Sequence, residues 1–301
     1  MNLISNNNAK SIDKKKKIAF YLQDGVEVLD FAGPMEVFSH AGYNVFTVSK
    51  TKSQILSQGI LKIIPDYDIY DAPKAEILAF FGGNSSMAIK DPEVIDWVRS
   101  YKDVQYYFSV CTGAFILAEA GILKGKTATT FHDALDELER KYQDIKVIKN
   151  ARFIDNGNVI TTAGISAGID GALHLITKLD GIDAARRVAY NMEYDKWTPG
   201  EGIILSKDNP YNKLMNITEL EVFEGQYEFP DGSKLEIKIN SRERALYTVH
   251  KDRYYPLFFA EKDKFFNVKG DVTITFMRDV NDKISGYMLS TTKDKFYRKL
   301  L

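Results

Sequence analysis

The sequence predicts an α/β protein: a doubly wound, mostly parallel sheet with a second, smaller antiparallel β domain behind it. Three patterns carry that reading. Between residue 18 and about residue 194, short apolar runs alternate with amphipathic stretches, the mark of βαβ units with helices on both faces of a parallel sheet. From about residue 220 the helical period disappears, and runs such as 235–239 and 272–276 alternate apolar with polar residues, with Asp231-Gly232 and Asn281-Asp282 as turns between such runs. Segments 197–202 and 208–210, which hold Pro199, Gly200, Gly202 and Pro210, read as linker between the two regimes. The expected division is a flexible tail over 1–17, a sheet domain over 18–195, a linker over 196–214 and the β domain over 215–301. A chain of 301 residues is long enough for one larger and one smaller core.

Residues 18–22 (Ile-Ala-Phe-Tyr-Leu) read as the first strand, and a helix is expected over 33–40 with Pro34 in its first turn, where a missing N–H is tolerated. Residues 43–48 form the next strand, and 54–69 a β-ribbon for which Gln58-Gly59 can supply the turn. A buried strand over 76–81 ends on Gly82-Gly83. Asp91 caps a helix that Pro92 opens and that runs through Tyr101. The apolar and aromatic run 104–110 is another buried strand, followed at once by a helix over 112–120 that Gly121 closes. A brief strand at 128–130, a helix over 133–142, a strand over 158–162 and helices over 166–179 and 183–192 complete the first domain. In sheets of this kind chemistry gathers at the carboxyl ends of the strands, and Gly82-Gly83 and Cys111 both lie at such ends.

Composition narrows the function classes. A formal net charge of −1 with 45% hydrophobic and 27% charged residues describes a globular chain with no general attraction for nucleic acid or an anionic membrane. No apolar run approaches the roughly 18 residues of a membrane span. The single cysteine excludes an intrachain disulfide and gives no support to an oxidising compartment. Residues 1–13 lack the apolar segment of a signal peptide, and the lysines at 14–17 flank the first strand. The expected location is the cytoplasm, with the periplasm open for a chain whose signal has been removed. His40, His174 and His250 are scattered without metal-ligand spacing, and there is neither a Walker A loop nor a Gly-x-Gly-x-x-Gly after the first strand. Neither metal nor cofactor is expected.

Five residues could carry chemistry. Cys111 sits on the tightest strand-to-helix junction of the chain. It reads either as an inert core thiol or as a nucleophile held above the sheet, where the N–H groups and dipole of the following helix would make it titrate low. Asp30, among apolar neighbours, is either a helix-entry residue or a carboxyl with a raised pKa that passes a proton to and from the thiol. The N–H groups of Gly83 and Thr112 could form an oxyanion hole beside Cys111, although a Gly-Gly pair also serves as an ordinary tight turn. His132 could pair with the thiol or lie exposed at the start of a helix.

These features together resemble the ThiJ/PfpI superfamily, the cysteine branch of the glutamine-amidotransferase-like folds. The resemblance covers about residues 18–194. Segment 24–34 (Asp-Gly-Val-Glu-Val-Leu-Asp-Phe-Ala-Gly-Pro) is similar to the opening of bacterial isonitrile hydratases and of the sensor domain of AraC-type regulators. The elbow 110–114, the Ala-Thr-Thr at 128–130 and the segment 157–164 are similar to the same group. The resemblance implies a flavodoxin-like parallel sheet, Cys111 as nucleophile, Asp30 as the acid bonded to its sulfur, and Gly83 and Thr112 as backbone donors. It also implies a small-molecule substrate and a homodimer. The implied activity is that of an isonitrile hydratase, with a ligand-binding sensor module and a glyoxalase or deglycase as alternatives. Two departures stand out. Thr112 follows the cysteine where protease-like members carry histidine, and Phe131 follows Thr129-Thr130 where many hydratase-like relatives carry histidine, which leaves His132 one place late. The tail end is a third: strands stand where AraC-type relatives append a DNA-binding helix-turn-helix, and 223–237 is similar to small lipocalin-like β modules found behind bacterial hydrolases.

Overall fold

The computed structural model describes residues 16–101, 104–292 and 295–300; the tail expected over 1–17 lies outside them except for Lys16 and Lys17. The chain divides into two compact units, Met1–Ile169 and Asp170–Leu301.

In the first unit the elements run β1 (Lys17–Tyr21), α1 (Val28–His40), β2 (Asn44–Ser49), β3 (Ile55–Ser57), β4 (Leu61–Ile63), β5 (Tyr67–Asp68), β6 (Ile77–Phe80), α2 (Ser86–Lys90), α3 (Pro92–Ser100) and β7 (Tyr106–Val110). A 3₁₀ turn over Cys111–Gly113 leads into α4 (Ala114–Glu119). Then follow β8 (Thr127–Ala128), a 3₁₀ turn over His132–Ala134, α5 (Leu135–Lys141), β9 (Lys146–Val147), β10 (Phe153–Asp155), β11 (Val159–Thr162) and α6 (Ala167–Asp180), which continues into the second unit.

The main sheet of this unit has the order β10-β11-β7-β6-β1-β2-β5. Every pairing in it is parallel except β10 with β11. β1 explains why both faces are covered. Its Ala19 and Tyr21 join the core that α3 and α4 supply through Trp97 and Phe115, and Tyr21 lies 5.7 Å from the Trp97 ring. Its Phe20 turns to the opposite face, edge-on to Phe38 of α1 at 6.2 Å. Three capping and turn signals appear as expected. Asp91 accepts from the N–H groups of Glu93 and Val94, Gln58-Gly59 takes the positive φ values of a tight hairpin between β3 and β4, and Gly121 has a φ of +79° behind α4.

One boundary differs from expectation in a way that matters for the site. The first helix does not start near Gly33 with Pro34 in its opening turn; α1 starts at Val28, and Pro34 lies inside it. A proline inside a helix forfeits one hydrogen bond and costs about 3 kcal/mol. Burial of Phe31, Val37 and Phe38 on the same helix offsets that cost, and the earlier start brings Asp30 into the first turn.

In the second unit α7 (Ile182–Asn191), β12 (Ile203–Ile204), a 3₁₀ turn (Pro210–Lys213) and α8 (Ile217–Glu221) precede the strands. Those are β13 (Gly225–Glu228), β14 (Lys234–Asn240), β15 (Ala245–His250), β16 (Arg253–Glu261), β17 (Lys264–Phe266), β18 (Thr273–Arg278), β19 (Ile284–Leu289) and β20 (Phe296–Lys299). Each pairs antiparallel with the next, and β20 returns to β13 through Tyr227 opposite Lys299, so the antiparallel domain is a closed barrel. Closure leaves no free edge. Its interior is filled by aromatic side chains, including Phe223, Tyr227, Phe265, Phe276 and Tyr287. No helix among the described residues is long and apolar enough to cross a membrane.

Candidate active site

Four neighbouring strands of the first unit deliver the site. In register, Tyr21 of β1 lies opposite Phe80 of β6, Phe80 opposite Ser109 of β7, and Val110 opposite Thr162 of β11. The chain therefore leaves four adjacent strand ends together: toward α1, through Gly82-Gly83, into Cys111, and through residue 165. The order β2-β1-β6 reverses the direction of winding between β1 and β6, the place where open α/β sheets form a crevice.

Cys111 has a φ of +56°, a conformation that costs a non-glycine residue on the order of 1–3 kcal/mol. Its backbone is pinned on both sides: the N–H donates to Ala163 O at 3.2 Å, and the carbonyl accepts from Thr130 Oγ1 at 2.6 Å. The left-handed turn holds the thiol at the mouth of the β7–α4 junction, where the N–H groups of Thr112 and Gly83 donate to the sulfur. The residue is 6% exposed.

Asp30 is fully buried beside it. The Gly82 N–H donates to its Oδ2 at 2.9 Å and the Ile165 N–H to its Oδ1 at 3.1 Å, and the carboxylate is hydrogen-bonded to the Cys111 thiol. Burial raises its pKa to about 6, against the lowering effect of the Gly82 N–H and the thiol. Gly82 makes the pairing possible: a methyl group there would lie 2.7 Å from Cys111 Sγ and 2.8 Å from Asp30 Oδ2. Gly83, at a φ of +86°, bridges to Val26, and a methyl group on it would meet Gly25 O at 2.3 Å.

The thiol does not titrate low as the helix argument expects. Burial first, and the Asp30 carboxylate second, push it up to about 12, and the N–H groups of Thr112 and Gly83 only partly counter this. The physical reason is the size of the helix: a 3₁₀ turn and the six residues of α4 carry little dipole, while desolvation of a buried thiolate is large. The pair thus holds one proton and one negative charge from about pH 6 to about pH 12. The arrangement is one in which the thiol could form a thiolate by handing its proton to Asp30.

The structure brings Cys111, Asp30, Gly83 and Thr112 together. His132 it does not: the imidazole is 73% exposed and bonds Asp133 at 2.7 Å, with the Phe131 ring tilted against it at 4.2 Å. Two contributors lie outside the sequence reading. The Ile165 N–H belongs to a residue at φ +54° that no motif marks, whereas Gly82 was visible only as half of a Gly-Gly pair. Gln23 is also new: its buried Nε2 donates to Phe81 O at 2.9 Å and Gly82 O at 3.0 Å and so sets the plane of the Gly82-Gly83 peptides. Among the described residues no group of three or more His, Cys, Asp or Glu is placed to hold a metal ion.

Residues 16–178 match the DJ-1/PfpI family. The chain belongs to that family. The isonitrile hydratase of Pseudomonas putida is 34% identical to it over 184 residues, 59% of this chain and 78% of the hydratase. The HTH-type transcriptional regulator CdhR of Pseudomonas aeruginosa is 27% identical over 177 residues, 56% of this chain and 52% of the regulator. A ThiJ/PfpI family protein from Pseudomonas syringae superposes with a TM-score of 0.57 at 27% identity, covering 65% of this chain and 86% of that one. The DJ-1/PfpI match ends before the barrel begins at Gly225.

Proposed function

We propose that this DJ-1/PfpI member is a cysteine-dependent hydratase of small isonitriles. One observation carries the reading: the Cys111 thiol is bonded to a buried carboxyl whose pKa lies near 6, close to the pH at which it would shuttle protons. The 34% identity to an isonitrile hydratase supports the same substrate class. So does the burial of Cys111, a residue only 6% exposed, since the terminal carbon of a linear isonitrile is slim.

The steps balance as a hydration. Cys111 Sγ bonds the terminal carbon of R–N≡C while Asp30 takes the thiol proton and delivers it to that carbon, leaving a thioimidate, R–N=CH–S. Asp30, ionised again, accepts a proton from water as its oxygen adds to the carbon, and the nitrogen gains that proton. The C–S bond then breaks, R–NH–CHO leaves, and the sulfur recovers the proton of the new hydroxyl by way of Asp30. The N–H groups of Thr112 and Gly83 stabilise the sulfur as it carries charge. They act on the sulfur rather than on a substrate oxygen.

The regulator-like similarity favours a second reading, a pocket that binds without turnover. Phenyl isocyanide decides between them. With wild-type protein, ¹H NMR should record N-phenylformamide at a rate that Cys111→Ala and Asp30→Ala abolish. Saturable binding of the isonitrile without formamide selects the sensor, and full turnover by Cys111→Ala ends both the mechanism and the assignment of the nucleophile. A glyoxalase or deglycase reading has less support, because His132, the histidine it would call on, is largely exposed and bonds Asp133.

A further inference from the structure

Gln23 lies just beyond the end of β1 and is buried, an unusual place for a side-chain amide. Its acceptor Oε1 has no partner among the described residues, a cost that a core side chain without polar atoms does not carry. The donor end accounts for the choice. Nε2 carries two hydrogens and meets two carbonyl oxygens, Phe81 O at 2.9 Å and Gly82 O at 3.0 Å. With carbonyls on that side, only the NH₂ group can face them, so the orientation of the amide is fixed.

The two carbonyls belong to two particular peptides. A trans peptide is planar, and its C=O and N–H point in opposite directions. The peptide that carries Phe81 O also carries the Gly82 N–H, which donates to Asp30 Oδ2 at 2.9 Å. The peptide that carries Gly82 O also carries the Gly83 N–H, which donates to the Cys111 sulfur. The Glu27 N–H, 3.1 Å from Gly82 O, supports the second of these peptides; Gln23 supports both. A hydrogen bond accepted by a carbonyl polarises its peptide and strengthens the donor at the other end. We propose that Gln23 is a positioning residue for the Cys111–Asp30 pair, aligning and strengthening the Gly82 and Gly83 N–H donors together, so that one side chain governs the charge on both partners. The proposal rests on the hydratase reading only where turnover is measured. Each N–H lowers the pKa of the group it bonds, so loss of the Gln23 amide should raise the thiol and the carboxyl alike.

Gln23→Met keeps the length of the side chain and removes both donors. At pH 9, where Asp30 is ionised in either protein, iodoacetamide should alkylate Cys111 of the variant at least threefold more slowly than that of wild type. A variant that had merely loosened would expose the thiol and alkylate faster, so the direction of the change separates the two causes. Turnover of phenyl isocyanide should lose at least tenfold in kcat, with KM within about twofold of wild type. Wild type offers a measurement that needs no variant. In ¹H–¹⁵N spectra between pH 5 and pH 7, both Gln23 side-chain N–H signals and the Gly82 amide should shift with one midpoint near the Asp30 value of about 6. The proposal fails if folded Gln23→Met alkylates at the wild-type rate or faster, if its kcat is unchanged, or if the Gln23 signals do not follow the Asp30 titration. Absence of turnover in wild type ends the hydratase reading instead, and the alkylation and NMR results then decide the role of Gln23.

Discussion

At the scale of single residues, the shared proton of Asp30 and Cys111 is the property to measure. Asp30 has its pKa raised from 3.8 to about 6 in the folded chain. Between those values the native state keeps a proton that the unfolded chain has lost. The stabilisation is therefore complete below pH 3.8 and lost as pH rises through about 6, on the order of 3 kcal/mol in all. Urea denaturation of wild type and Asp30→Asn should show this: relative to the variant, wild type should lose stability from pH 4 to pH 7 and then stay level. A wild type that gains stability over that window would mean the carboxyl is held ionised. The thiol gives an independent check. Because the Asp30 charge pushes Cys111 up, Asp30→Asn should lower the thiol pKa and speed alkylation by iodoacetamide at pH 8. Slower alkylation in the variant would place the resting proton on the carboxyl instead. His132→Ala should alkylate at the wild-type rate, since its ring is bonded to Asp133.

At the scale of elements, the site depends on how closely the β6 end approaches α1 and the β7 elbow. Gly82→Ala tests that approach. Its methyl group would stand 2.7 Å from Sγ and 2.8 Å from the carboxylate, so the two must part. Displacement of a reacting group by about 1 Å can cost on the order of 100-fold in rate, and overpacking costs about 1–3 kcal/mol. Formamide production from phenyl isocyanide should fall by about that factor while the chain stays folded; an unchanged rate would show that the pairing tolerates separation. The same elements show what the sequence makes legible. Asp91-Pro92 and Gln58-Gly59 act within a few residues of themselves, so their cap and turn could be read directly. The strand-end positions of Cys111 and Gly83 followed from apolar runs that stop abruptly. Pro34 misled because its tolerance inside α1 rests on the burial of Phe31 and Phe38 against other elements. The high thiol pKa and the Ile165 bond to Asp30, 135 residues away in sequence, depend on burial and long-range packing that no local pattern encodes.

At the scale of the whole molecule, the sheet and the barrel have separate hydrophobic cores. The first is built around the sheet, α3 and α4; the second lies inside β13–β20. Phe276 is central to the second: its ring lies 4.7 Å from Phe223, 5.6 Å from Phe265 and 5.8 Å from Tyr287. Replacing a buried phenylalanine with alanine costs about 3–5 kcal/mol, a large share of what holds a small domain together. If each core sustains its own unit, Phe276→Ala should speed native-state hydrogen exchange throughout the barrel strands. The amides of β1, β6 and β7 should be left at their wild-type rates, because local stability follows cooperative units rather than the whole chain. Iodoacetamide should then find Cys111 no more reactive than before. Faster exchange in β6 and β7 together with the barrel would instead mean that the two units unfold as one, and that the elbow at Cys111 draws its rigidity from the barrel as well as from the sheet.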